Sequence, residues 1–102
     1  MISRGPGPDG VGAAPRSVAE LAATSAGWKV ELGEFGRWLT AEHQVVRGGR
    51  RWLVGLTPVG REVVAMVVWR DDALVDHARG TEREMAVLAH RTLIGIVEDR
   101  AG

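Results

Sequence analysis

The chain contains no cysteine, no tyrosine and no asparagine, one phenylalanine and one lysine. Without cysteine there are no disulfides and no thiolate metal sites. Without asparagine there is no N-glycosylation acceptor. The longest apolar run, Val63 to Trp69, has seven residues, far short of the roughly 20 that a membrane-spanning helix needs. The N-terminus lacks the continuous apolar stretch of a secretion signal. These absences point to a soluble cytoplasmic protein. Catalytic signatures are scarce as well. The only serines are Ser3, Ser17 and Ser25, none of them in a G-x-S-x-G turn, which leaves acyl transfer without a nucleophile. Neither a phosphate-binding loop nor any other cofactor motif is present, and an enzyme is not the expectation. Gly5, Gly7 and Gly10 do spell G-x-G-x-x-G. No strand precedes them, however, and Pro6 and Pro8 have no amide hydrogens to offer a pyrophosphate.

What the chain does contain is enough apolar material for one core: 102 residues, 45% of them hydrophobic. Arginine replaces lysine almost completely, a bias typical of GC-rich bacterial genomes. Net charge is zero but unevenly spread. Residues 37–70 carry six arginines and two glutamates, whereas residues 71–84 carry five acids and two arginines. A basic sheet followed by an acidic segment is expected.

Residues 1–15, rich in glycine and proline, read as a disordered arm, and residues 16–102 as a single domain. Ser17 and Glu20 have capping-box spacing and open a short helix over residues 17–26, which Gly27 ends. Trp28, Val30 and Leu32 alternate with Lys29 and Glu31, the pattern of a short half-buried strand. Longer strands follow over residues 37–47, 50–57 and 61–70. Gly48-Gly49 forms a two-residue hairpin turn that pairs Arg47 with Arg50 and Val45 with Trp52. One face then holds Leu39, Ala41, His43, Val45, Trp52, Val54 and Leu56. The other holds Trp38, Thr40, Glu42, Gln44, Val46, Arg51 and Leu53. The first is the core face, since a slip of one residue would bury the polar set. A turn at Thr57-Pro58-Val59-Gly60 would set Trp52 against Met66 and turn Val64, Met66 and Val68 inward, whereas a two-residue turn at residues 59 and 60 would exchange the inward and outward sets. Residues 73–79 favour a short helix capped by Asp72 over another strand. Thr81 and Glu84 form a second capping box, followed by an apolar stripe of Met85, Leu88, Ala89, Leu93, Ile96 and Val97. Gly95 is a candidate for close approach to the sheet. The fold class is α+β: an antiparallel meander of three to four strands, flanked by a short N-terminal and a longer C-terminal helix, in two layers.

Three surfaces stand out. Asp72 and Asp76 would share a helix face near Asp71 and His77 and could hold a hard cation, although a capped acidic turn is the expected reading and no metal site is expected. Arg37, Arg47, Arg50, Arg51 and Arg61 lie among four tryptophans and suit a nucleic-acid-binding regulator. Its helix–meander–helix order resembles that of double-stranded-RNA-binding domains. The strand over residues 63–69 is apolar on both faces, which implies cover on both. If no helix covers the second face, Leu53, Val63, Ala65, Val67 and Trp69 form a patch for a protein partner, most simply a second copy in a homodimer. That interaction module is the leading expectation from sequence.

Overall fold

Ser17 caps the first helix as its spacing predicts: its hydroxyl accepts from the Glu20 amide at 3.1 Å. The computed structural model describes residues 14–98. The expected arm and its glycine pattern lie outside them except for residues 14 and 15, of which Pro15 is fully buried. Helix α1, Val18–Thr24, completes only half of its capping box. The Glu20 carboxylate turns to the Arg16 amide at 3.0 Å and the Arg16 guanidinium at 3.1 Å. The first helical amide, that of Val18, donates instead to Glu82 at 2.8 Å. An acidic group there also favours the positive end of the helix.

Five strands follow: β1 Trp28–Leu32, β2 Trp38–Arg47, β3 Arg50–Gly60, β4 Val63–Arg70 and β5 Ala73–Gly80. They form one antiparallel meander in chain order, one strand more than the sequence suggested. Helix α2, Glu82–Glu98, closes the chain. Its capping box is complete: Thr81 N donates to Glu84 at 2.9 Å, and Glu84 N to the Thr81 hydroxyl at 3.1 Å. Gly80 makes room for it, because a Cβ there would fall 2.6 Å from the Glu84 carboxylate.

The first long hairpin has the expected register, with Arg47 opposite Arg50, Val45 opposite Trp52 and His43 opposite Val54. The second does not turn at residues 57–60. Pro58 lies within β3 opposite Val64, and a bulge at Val59 carries the ladder past it to Gly60. A bulge absorbs the missing donor of a strand proline. The chain reverses at Arg61-Glu62, where Glu62 has φ +58. Trp52 therefore faces Arg70 rather than Met66. The displacement is even, so the same side chains still point inward.

Residues 73–79 form a strand, not the favoured helix. A segment this short cannot support a helix without tertiary help, whereas β5 pairs its backbone with β4 from Arg70↔Ala73 to Val64↔Gly80. Its bulge falls at Val75, which puts Leu74 beside Trp69. A third bulge, in β2, reverses the expected roles of two residues. Leu32 pairs with Trp38, so Trp38 packs on the core while Leu39 is left 50% exposed.

The core joins Val18 and Leu21 of α1, Ala41, Val54, Leu56, Val64, Met66 and Val68 of the sheet, and Met85, Ala86, Ala89, Leu93 and Ile96 of α2. Both helices therefore occupy the same face of the sheet. Within the expected stripe of α2, Val97 proves to be 51% exposed and Ala86 takes a core place. Gly95 makes no close approach: a Cβ there would meet nothing within 4 Å. We expect Gly95→Ala to raise stability by about 1 kcal/mol, the helix-propensity difference. A thermal or urea melt reads the shift directly, and a destabilised variant would mean that the backbone there is needed for packing.

Candidate interaction face

Alternation along the strands builds the helix-free face in rows that run across the sheet. Gln44, Leu53, Trp69 and Leu74 make one row. Glu42, Gly55, Val67 and His77 make the next, and Thr40, Thr57, Ala65 and Arg79 the third. The two middle columns, from β3 and β4, are apolar or small. The outer columns are polar except for Leu74. Lys29 and Glu31 of β1 continue the β2 side, opposite Glu42 and Thr40, and the Thr40 hydroxyl donates weakly to Glu31 at 3.4 Å.

All five residues expected to meet a partner lie on this face. Leu53 pairs with Trp69, Gly55 with Val67 and Thr57 with Ala65, while Val63 follows the same parity at the strand start. Leu53, Ala65 and Val67 are half-buried by their neighbours, whereas Val63 and Trp69 remain 37% and 36% exposed. Val67 leans over Gly55, where a Cβ would lie 3.3 Å from its methyl group. No described residue of either helix covers the patch, since both helices belong to the opposite core. Leu74, 47% exposed, extends the patch, a place that the expected helix over residues 73–79 does not give it. Its signal was the Asp71-Asp72 pair, which can reverse a chain as readily as it can cap one.

The arginines are divided. The β2–β3 turn carries Arg47, Arg50 and Arg51 at one end of the sheet, whereas Arg37 and Arg61 flank turns at the other. Ten-residue β2 separates the ends by roughly 30 Å at ordinary strand rise. At the first end the β4–β5 turn supplies counter-charges. Asp71 accepts from the Arg50 guanidinium and from the Arg51 amide, both at 3.1 Å. Asp71 N donates in turn to Arg51 O at 2.6 Å, and Arg51 lies 3.8 Å from Asp72. Asp71 adopts φ +57 to do this, a conformation that aspartate tolerates better than most residues. Asp72 and Asp76 share no helix face. The former is in the turn, and the latter accepts from its neighbour's amide, His77 N, at 2.8 Å. Among the described residues no three acidic or histidine side chains converge on a possible metal position.

A concavity that the sequence did not announce lies at the C-terminal end of α1. Its volume is about 390 Å³, and Ser25, His43, His90, Leu93 and Val97 are among its lining residues. His43 Nε2 donates to Ala26 O at 2.8 Å, so in the neutral ring Nδ1 carries the lone pair. Trp28 stands edge-on to the imidazole with ring centres 5.4 Å apart. Gly27, at φ +103, admits this contact, because a Cβ would fall 2.5 Å from Nε2. His43 Nδ1, Ser25 Oγ and Trp28 Nε1 are buried with no hydrogen-bond partner among the described residues.

The hydrogen bond from the Arg51 amide, followed by that from the Arg50 side chain, holds the Asp71 carboxyl below its ordinary value of 3.8. A depressed folded value stabilises the protein above the unfolded pKa, and the benefit is lost as pH falls through the folded one. We expect Asp71→Asn, which keeps the turn conformation accessible, to lower the urea midpoint at neutral pH. The gap from wild type should begin to narrow as pH falls below about 4 and close only below the depressed folded value. An equal gap at neutral and strongly acidic pH would mean that the carboxylate charge contributes nothing.

Among the described residues no helix is long and apolar enough to cross a membrane. No family model matches the chain, no curated protein is detectably similar to it, and no solved structure matches it.

Proposed function

We propose that this protein is a small cytoplasmic interaction module that works through the helix-free face of its sheet and assembles as a homodimer. One observation carries the reading: α1 packs beside α2, not across the sheet from it. The side chains of Leu53, Val63, Ala65, Val67 and Trp69 thus keep an apolar surface without intrachain cover from either helix. Soluble monomers tend to avoid contiguous patches of this kind. Two such faces brought together at the ordinary sheet spacing of about 10 Å would give four layers, with helices outside and sheets within.

The area is adequate. Five strands, averaging about eight residues, cover roughly 24 by 27 Å at standard spacings. That approaches the ~800 Å² per partner of an ordinary stable interface. The nucleic-acid alternative has less behind it. Arg50 is paired with Asp71 at 3.1 Å and Arg51 lies 3.8 Å from Asp72, and Arg37 and Arg61 lie at the far end of the sheet. The five-stranded order also departs from that of double-stranded-RNA-binding domains.

Light scattering on a sizing column, from micromolar to millimolar protein, tests the proposal. Wild type is expected at dimer mass. Val67→Asp should be a monomer with an unchanged far-UV spectrum, because its carboxylate would point to solvent in the free chain and lose hydration only in the dimer. Val54→Asp, at a fully buried position of the opposite face, should instead lose its cooperative melt, at a cost of about 4 kcal/mol or more. A wild type that stays monomeric throughout would contradict the proposal.

A further inference from the structure

The polar margins of the open face are not alike, and the difference selects one way of joining two copies. On the β1–β2 side stand Glu31 and Glu42, with Lys29 beside Glu42. On the β5 side stand His77 and Arg79. The apolar columns of β3 and β4 lie between them. Resting on the homodimer reading above, we infer that two copies pack face to face about a twofold axis that runs along the strands, between β3 and β4.

The two simple twofold axes in the interface plane act differently on this pattern. An axis across the strands keeps each column over its own copy. That axis also reverses the rows: placed on the Glu42 row, it sets Glu42 over Glu42 and His77 over His77 while the interface loses water, and brings Arg79 over the apolar Leu74. An axis along the strands exchanges the columns and keeps the rows. The β5 column of one copy then lies over the β2 column of the other. His77 stands over Glu42, where the imidazole donates to the carboxylate. Arg79 stands over Thr40, within a side chain's reach of the Glu31 that Thr40 already contacts. In the middle, Leu53 covers Trp69 of the second copy, Val67 covers Gly55, and Gln44 meets Leu74. Apolar groups meet mainly apolar groups, and each charged margin meets its complement. Both axes give aligned sheets, so sheet packing does not choose between them; complementarity does.

The absence of cysteine makes the test clean, since any introduced thiol is the only one. Chains carrying Glu42→Cys and a size-tagged form carrying His77→Cys are mixed, allowed to exchange subunits, and treated with a bis-maleimide of about 10 Å span, the distance between packed sheets. Cross-links between the two variants are expected, and self-links of Glu42→Cys are not. Self-links of either variant in excess, or a dimer mass with no cross-link, would overturn the axis and leave the homodimer standing. Monomer mass throughout would remove both. In an otherwise unaltered chain, Glu42→Gln should weaken the dimer by about two- to fivefold, the range of an exposed charged contact. A tighter dimer would show that Glu42 had been facing its own copy, against the inference.

Discussion

The Val18 amide donates to the Glu82 carboxylate, and this contact holds the start of α1 to the first turn of α2. It satisfies one of the amides that every helix start leaves unpaired. It also keeps the short helix beside the long one, where Val18 and Leu21 enter the core that α2 makes with the sheet. A seven-residue helix has little stability of its own; it persists where it is packed. Once it is packed there it cannot cover the other side of the sheet. The two-layer architecture, the bare face and the proposed dimer all follow from that choice of side.

Much of this was legible in the sequence. Gly48-Gly49 allows the primed turn, and alternation on either side of it left one register that buried apolar groups. Both capping pairs, Ser17 with Glu20 and Thr81 with Glu84, marked true helix starts. Of the two partitions open for Val63 to Trp69, the one with Val64, Met66 and Val68 inward holds despite the misplaced turn, because the displacement is even. The failures came where the backbone departs from strict alternation. Bulges at Leu39, Val59 and Val75 each insert a residue that no periodicity announces. One exchanged Trp38 for Leu39, and another carried the hairpin past Pro58. The third goes with a strand that had read as a helix. Bulges depend on what the neighbouring strand offers, which a local pattern does not contain. For the same reason the side chosen by α1 was open: its partner, Glu82, is 64 residues away.

The charge pattern shows the same limit. A basic stretch followed by an acidic one suggested a surface for a polyanion. Folding brings the acidic β4–β5 turn against the basic β2–β3 turn, and Asp71 and Asp72 answer Arg50 and Arg51. Part of the asymmetry at that end of the sheet is therefore met within the chain. What remains on the open face is a smaller difference between its two margins. That difference supports an orientation for two copies rather than a nucleic-acid surface. The cleft at His43 stands apart from this account, on the helix side of the sheet.

The central claim is that the face bearing Trp69 meets a second copy while the helix side does not. Fluorine NMR of protein labelled with 5-fluorotryptophan reads this directly. Single Trp→Phe variants would assign the four signals. On dilution, the Trp69 resonance should move towards that of a solvent-exposed indole, while those of Trp28 and Trp38, both packed against the core, stay in place. A Trp69 signal that does not change with concentration, or a larger change at Trp28 than at Trp69, would contradict it.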